Sequence, residues 1–117
     1  MKWGERKRVP ADRDGKTGTV QAGKVTAQVT ANTFKGGKVG ELFAKCNEGH
    51  QGWTDAVCVM ASLALQYGCP LAVVVKHLRH RSFEPCGFGE HGFTRSIPDG
   101  IAAWLEREYP KQAKDPS

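Results

Sequence analysis

Between residues 79 and 106 the chain reads RHRSFEPCGFGEHGFTRSIPDGIAAWLE. Arg79, Arg81 and Arg95 supply cations, His80 and His91 supply imidazoles, and Phe83, Phe88 and Phe93 supply flat apolar faces. Glycines break this run until Ser96-Ile97-Pro98-Asp99, where the spacing predicts a helix start. Ser96 and Asp99 stand at capping-box distance, and Pro98 falls in the first turn, where a missing N–H costs nothing. Guanidinium groups and the free N–H groups of a helix start both favour an anion, and a phenyl face suits a ring. The chemistry this points to is binding of a phosphate-bearing, nucleotide-like small molecule. Its candidate residues are Arg79, His80, Arg81, Phe83, Phe88, His91, Arg95, Ser96 and Asp99. A plainer reading of the same loop folds Phe83 and Glu84-Pro85 inward, with Glu84 paired to Arg79 or Arg81.

Catalysis fits these residues less well. Cys86 is the best nucleophile, with His80, His91 and Glu84 near it in sequence, and a histidine-activated thiolate is sound chemistry. Yet the chain has neither a Gly-x-Ser-x-Gly elbow nor a Walker-type loop, and Gly87-Phe88-Gly89 follows a helix and lacks the lysine. The expectation is a protein that is not an enzyme and carries no cofactor. Cys46, His50, Cys86 and His91 are enough in number for tetrahedral zinc, but their spacing matches no standard finger, so no metal site is expected. Cys58, inside an apolar run, reads as a small core residue, and Cys69 beside Pro70 as packing.

The elements that must position the loop follow from periodicity. Residues 17–21 form a short strand-like run, residues 25–30 alternate apolar with polar as a half-buried strand does, and Ala22-Gly23 offers a tight turn between them. Lys35-Gly36-Gly37-Lys38 offers a second turn into a strand over residues 39–45, so the three runs predict an antiparallel meander. Thr54 suits a helix N-cap with Asp55 in the first turn, and the apolar run over residues 56–67 predicts a helix buried on most sides. Gly68 suits its left-handed end and Pro70 the first turn of a second helix over residues 71–80. A third helix opens at Ser96, with Ile101, Trp104, Leu105 and Tyr109 as its apolar face. The fold class expected is α+β, a three-stranded antiparallel meander packed against three helices. The domain spans residues 17–110, preceded by a basic flexible tail (residues 1–16) and followed by a C-terminal tail (residues 111–117).

Size and charge narrow the function. One domain is all that 117 residues allow. A formal charge of +5 favours polyanionic partners, and Lys2, Arg6, Lys7, Arg8, Arg13 and Lys16 hold much of the positive charge in the first segment. Nucleic acid is therefore a candidate partner, though a solubilising arm accounts for the same residues. Met1-Lys2-Trp3-Gly4-Glu5-Arg6 has no apolar core behind it, no run reaches transmembrane length, and the cysteines lack any C-x-x-C pair. These features predict a reduced, cytoplasmic protein without membrane association.

Three segments carry a family resemblance: Gly40-Glu41-Leu42-Phe43, Ser62-Leu63-Ala64-Leu65-Gln66-Tyr67-Gly68-Cys69-Pro70-Leu71, and Arg81-Ser82-Phe83-Glu84-Pro85-Cys86-Gly87-Phe88. In order and spacing they resemble the TSCPD domain, the small C-terminal accessory domain of adenosylcobalamin-dependent (class II) ribonucleotide reductases. The resemblance runs from about Gly18 to Leu105. Where the family has Thr-Ser-Cys-Pro-Asp, this chain has Arg95-Ser96-Ile97-Pro98-Asp99, so chemistry carried by that cysteine does not transfer. Nothing here resembles the reductase's catalytic barrel, its radical-forming thiol or its cobalamin site. The resemblance implies an accessory domain and a ribonucleotide reductase as a partner.

Three functions follow as expectations. The first is a non-catalytic nucleotide-binding or regulatory module. The second is a free-standing, phage-type sponge that sequesters a nucleotide immune signal. The third is a nucleic-acid binder using the basic tail. A single glycine-rich loop would struggle to enclose a nucleotide, which favours a homo-oligomer, with Trp53, Trp104 and Leu105 as interface candidates.

Overall fold

The alternation of small apolar and polar residues gives strands β1 (Gly15–Ala22), β2 (Val25–Thr33) and β3 (Val39–Lys45). The computed structural model describes residues 4–47 and 49–114. The three strands form an antiparallel sheet in the order β1-β2-β3, with Val20 opposite Ala27, Val29 opposite Ala44 and Ala31 opposite Leu42. All of these side chains are buried. The opposite face carries Thr17 paired to Thr30 through their hydroxyls at 2.9 Å, with Phe43 exposed beside them. The sheet is thus apolar on one face and polar on the other, as period-2 patterning requires.

Helix α1 (Gln51–Gln66) runs along β3, and α2 (Leu71–Leu78) follows Gly68, which sits at φ 104° after the helix end. A two-stranded hairpin, β4 (Gly87–Gly89) and β5 (Gly92–Thr94), then precedes α3 (Ile97–Glu108) and a short α4 (Pro110–Lys114). Cys58, Ala61 and Leu65 of α1, Leu71, Val74 and Val75 of α2, and Ile97, Ile101, Ala102, Trp104 and Leu105 of α3 close one core over the apolar sheet face. Within it the Cys58 thiol is pushed up to about 11 by burial, then by the charges of Asp55 and Cys46. The fold is α+β, with the meander expected from the sequence and a hairpin and fourth helix beyond it.

Several local expectations are corrected. Helix α1 starts three residues before Thr54, at a His50 N-cap, because Gln51 bridges the helix start to β3: Gln51 Nε2 donates to Ala44 O at 2.9 Å and Cys46 N donates to Gln51 Oε1 at 2.8 Å. Thr54 is buried inside the helix and its hydroxyl donates to His50 O at 2.6 Å. Helix α1 is not buried on most sides either, since Val59 and Met60 are 56% and 65% exposed. Pro70 is the N-cap of α2 rather than a first-turn residue. Trp104 and Leu105 lie in the core, which removes them as interface residues.

The edge of β3 is closed by side chains instead of a fourth strand. Leu42 N donates to Ser62 Oγ at 2.9 Å, the same hydroxyl donates to Leu42 O at 3.2 Å, and Gln66 Nε2 donates to Gly40 O at 3.1 Å. An unpaired edge is a template for aggregation, and here one helix face satisfies it. Both terminal segments dock as well. Lys7 N donates to Gln66 O and Arg6 Nε to Gln66 Oε1, each at 2.7 Å, and Val9 is buried. Gln112 of α4 accepts from Val39 N and donates to Gly37 O, and Ala113 is buried.

Candidate functional site

Asp99 is the hub of the loop that the sequence singles out. Ser96 caps α3 as expected, its hydroxyl oxygen accepting from Asp99 N at 3.1 Å and donating to Arg81 O at 2.6 Å. Asp99 then turns its carboxylate back over the loop. Its Oδ1 accepts from Arg79 Nη1 at 2.6 Å and from His80 N at 2.7 Å, and its Oδ2 accepts from Arg95 N at 3.0 Å. Arg79 is fixed a second time by Glu106 Oε1 at 2.7 Å from Nε. Phe83 N donates to Arg95 O at 3.1 Å, which closes the loop on itself.

Electrostatics follow from this geometry. Asp99 is 2% exposed. Burial on its own raises a carboxyl, but the N–H groups of Arg95 and His80 and the Arg79 guanidinium outweigh it and hold Asp99 below the usual carboxylate range. Burial lowers Arg79, and its bonds to Glu106 and Asp99 overcome that to leave it raised. His80 sits at φ 67°, a left-handed conformation that costs a non-glycine residue about 1 kcal/mol. Its N–H bond to Asp99 is what that conformation gains.

The anion at the start of α3 is therefore the chain's own. Pro98 has no N–H, Asp99 N is taken by Ser96, and the Asp99 carboxylate occupies the position between Arg79, His80 and Arg95. The structure brings together Arg79, Ser96, Asp99 and the backbones of His80, Arg81 and Arg95. The side chains of Arg81 and Arg95 point to the surface, with Arg81 Nε donating to His77 O at 2.8 Å. Phe83 packs edge-on against Trp53 with ring centroids 5.5 Å apart and is still 45% exposed, while Arg79 pairs with Asp99 and Glu106 and not with Glu84. Phe88 and Phe93 oppose each other across the hairpin at 5.2 Å and are 75% and 52% exposed.

A cleft of about 110 Å³ opens beside this knot, between the free edge of β1, the hairpin and α3. Thr19 and Gln21 of β1, Glu90, His91, Phe93 and Thr94 of the hairpin, and Arg79, Asp99 and Arg107 around α3 line it. Arg107 is exposed and, among the described residues, forms no ion pair. Sequence reasoning missed Glu106, Arg107, Thr19 and Gln21. Glu106 and Arg107 follow Asp99 at helical spacing with Ala103 between, a signal that was legible on α3. Thr19 and Gln21 become neighbours only when β1 meets the hairpin.

Cys46, His50, Cys86 and His91 do not assemble as a ligand set. No group of three or more His, Cys, Asp or Glu side chains among the described residues is placed to hold a metal. Cys46 Sγ lies 3.4 Å from Thr54 Oγ1, and His50 Nδ1 accepts from Trp53 Nε1 at 3.4 Å, while Cys86 is exposed. Among the described residues no helix is long and apolar enough to cross a membrane.

The vitamin B12-dependent ribonucleotide reductase of Streptomyces clavuligerus is 34% identical over 110 residues, covering 89% of this chain and 11% of that protein. The enzyme of the same name from Streptantibioticus cattleyicolor is 35% identical over 110 residues, 89% of this chain and 18% of its own length. That of Rhodopirellula baltica is 31% identical over 106 residues, 86% of this chain and 10% of its own length. The chain thus spans between 10% and 18% of these curated relatives. No solved structure matches it significantly. The TSCPD domain matches residues 4–109, so its limits take in the docked N-terminal segment and α3, and the chain belongs to the TSCPD domain family.

Proposed function

We propose that this chain is a non-catalytic accessory module that takes a phosphate-bearing, nucleotide-like ligand in the cleft beside α3 and acts alongside a ribonucleotide reductase. The observation that carries the reading is the cleft itself. Its volume of about 110 Å³ lies well below the roughly 300–1,000 Å³ of typical small-molecule pockets, a size suited to one phosphate group and not to a whole nucleotide. Arg107 and His91 supply charge and a donor, Thr19, Gln21 and Thr94 supply neutral polar groups, and Arg79 borders the opening; of the two carboxylates in the lining, Asp99 is held by Arg79 and Glu90 opposes an anion. Phe88 and Phe93, exposed on the hairpin, give a base or ribose an apolar surface outside the phosphate position. In this reading Ser96 and Asp99 position the loop, whereas His91, Phe88, Phe93 and Arg107 make contact. His80, Arg81, Phe83 and Arg95 contribute through backbone and loop packing.

The membership in a family whose relatives are reductases supports the partner part of the proposal. A free-standing sponge would use the same cleft and differ only in needing no reductase. The test is ¹⁵N NMR titration with pyrophosphate, linear and cyclic nucleotides at low salt. Shifts should centre on Thr19, Gln21, His91 and Thr94, and Arg107→Ala should weaken binding about 5-fold, the value of one solvent-exposed charge contact of about 1 kcal/mol. Absence of shifts, or shifts centred elsewhere, overturns the cleft.

A further inference from the structure

We infer that the groove between the docked N-terminal segment, the C-terminal end of α1 and α4 binds a small organic anion, an anionic head on an apolar body. The groove measures about 630 Å³, within the roughly 300–1,000 Å³ of small-molecule pockets, and shares no lining residue with the cleft beside α3. It is a second site and does not rest on the ligand proposed for that cleft. Its floor is made by the buried Phe34, Val39, Leu65 and Leu71, and its charged groups are Lys7, Lys38, Lys111 and Glu5.

The three lysines come from three separate segments, and two glutamines pin those segments together. Gln66, at the end of α1, accepts from Lys7 N on its backbone oxygen and from Arg6 Nε on its side-chain oxygen, each at 2.7 Å. Its Nε2 donates to Gly40 O at 3.1 Å. Gln112 of α4 accepts from Val39 N at 2.9 Å and donates to Gly37 O at 3.1 Å, which holds α4 against the turn that carries Lys38. Both glutamines line the groove. Its walls are therefore fixed by the chain's own hydrogen bonds, and a preformed site loses less on binding than one assembled around its ligand.

Charge and floor together select the class of ligand. Three ammonium groups against one carboxylate leave the lining net positive, and among the described residues none of the three lysines forms an ion pair. Lys7 Nζ instead lies 4.8 Å from the centre of the Phe34 ring. A wholly polar anion such as inorganic phosphate would leave the apolar floor in water, and a neutral apolar molecule would leave the lysines without a partner. An anion that carries rings or an acyl chain meets both.

The probe is 8-anilinonaphthalene-1-sulfonate, ring systems bearing one sulfonate, titrated into the full ¹⁵N-labelled chain at low salt. Amide shifts should centre on Lys38, Gly68, Cys69 and Gln112, all in the groove lining. N-phenyl-1-naphthylamine, the same rings without the sulfonate, should bind about 5-fold more weakly or worse. Lys38→Glu with Lys111→Glu should weaken the sulfonate about 10-fold or more, since two exposed charge contacts of up to about 5-fold each are lost and reversed. Both lysines are exposed, so circular dichroism and Tm should not change. Arg107→Ala, which tests the cleft, should leave these shifts as they are. Decanoate and 1-naphthyl phosphate, added as competitors, separate an acyl from an aryl ligand, and displacement by either supports the site. A chain shortened to begin at Gly4 should bind with unchanged affinity. Shifts centred on Phe88 and Phe93, a neutral probe that binds as well as the sulfonate, a double glutamate variant that binds like wild type, or displacement by neither competitor would each overturn the inference. Tighter binding by the shortened chain would make the chain's own first residues the occupant and overturn it as well.

Discussion

Replacing Asp99 with asparagine changes one atom of the loop hub and should cost about 2–3 kcal/mol. The carboxylate accepts on both oxygens, from Arg79 Nη1 and His80 N on Oδ1 and from Arg95 N on Oδ2. An asparagine has only one accepting oxygen. If it faces Arg79 and His80, its NH₂ opposes the Arg95 N–H, and if flipped it opposes the other two donors. Breaking a buried ion pair typically costs 3–5 kcal/mol, but Arg79 is partly exposed and keeps Glu106, so its charge is not orphaned. One lost charge-assisted bond and one unsatisfied donor then set the lower figure. In a domain of this size that is a fall of about 8–12 °C in Tm. The pH dependence gives an independent check. Because the folded Asp99 lies below the unfolded carboxyl value of about 3.9, its stabilisation is fully present above about pH 4–5. It is lost as pH falls through the folded value, so the gap between wild type and Asp99→Asn should close on acidification. Urea melts followed by tryptophan fluorescence measure both. A variant within 0.5 kcal/mol of wild type at pH 7, a difference at the noise of surface substitutions, or a gap unchanged down to pH 2–3, would refute the hub.

Two further substitutions address the scaffold. Ser62→Ala leaves the buried Leu42 N–H without its hydroxyl partner and should cost about 1–2 kcal/mol in urea melts, with increased aggregation as the β3 edge opens. Gly100→Ala drives a methyl group into Val20 of β1 and within 2.9 Å of Thr94 Cγ2, so overpacking of about 1–3 kcal/mol should exceed the helix-propensity gain of up to about 1 kcal/mol. A Gly100→Ala protein more stable than wild type in the same melts would show that α3 does not press on β1 as closely as the packing implies.

The meander, the order of helices and the Ser96 cap were legible because each depends on neighbours in sequence: period-2 alternation in β1 and β2, the glycine turns, and a hydroxyl three residues before Asp99. The helix over residues 56–67 was read as buried because its composition is apolar all round. Composition does not say how many faces the rest of the chain can cover, and Val59 and Met60 stay exposed. The start of α1 was misplaced because Gln51 is held by β3, a contact invisible to local capping rules. Arg79 read as a free cation for the same reason. Its partners Asp99 and Glu106 lie 20 and 27 residues away in sequence.

The family motif acquires a physical meaning in this chain that needs no thiol. Ser96 starts the helix, Pro98 occupies a position where no N–H is required, and Asp99 ties the whole loop from Arg79 to Arg95 onto the first turn. The position of the family's cysteine is held by Ile97, which is fully buried in the core, so the side chain there points away from the cleft and contributes packing. An anion brought to the start of α3 would have to displace Asp99, a carboxylate already held by three donors. The proposed ligand would instead be met two to three turns further along, where Arg107 carries a charge with no acidic partner among the described residues. The motif and the cleft therefore lie at different places along α3: its first turn fixes the loop, and the hairpin that the loop presents, with His91 at its turn and Phe88 and Phe93 on its flank, is the wall that the proposed ligand would meet.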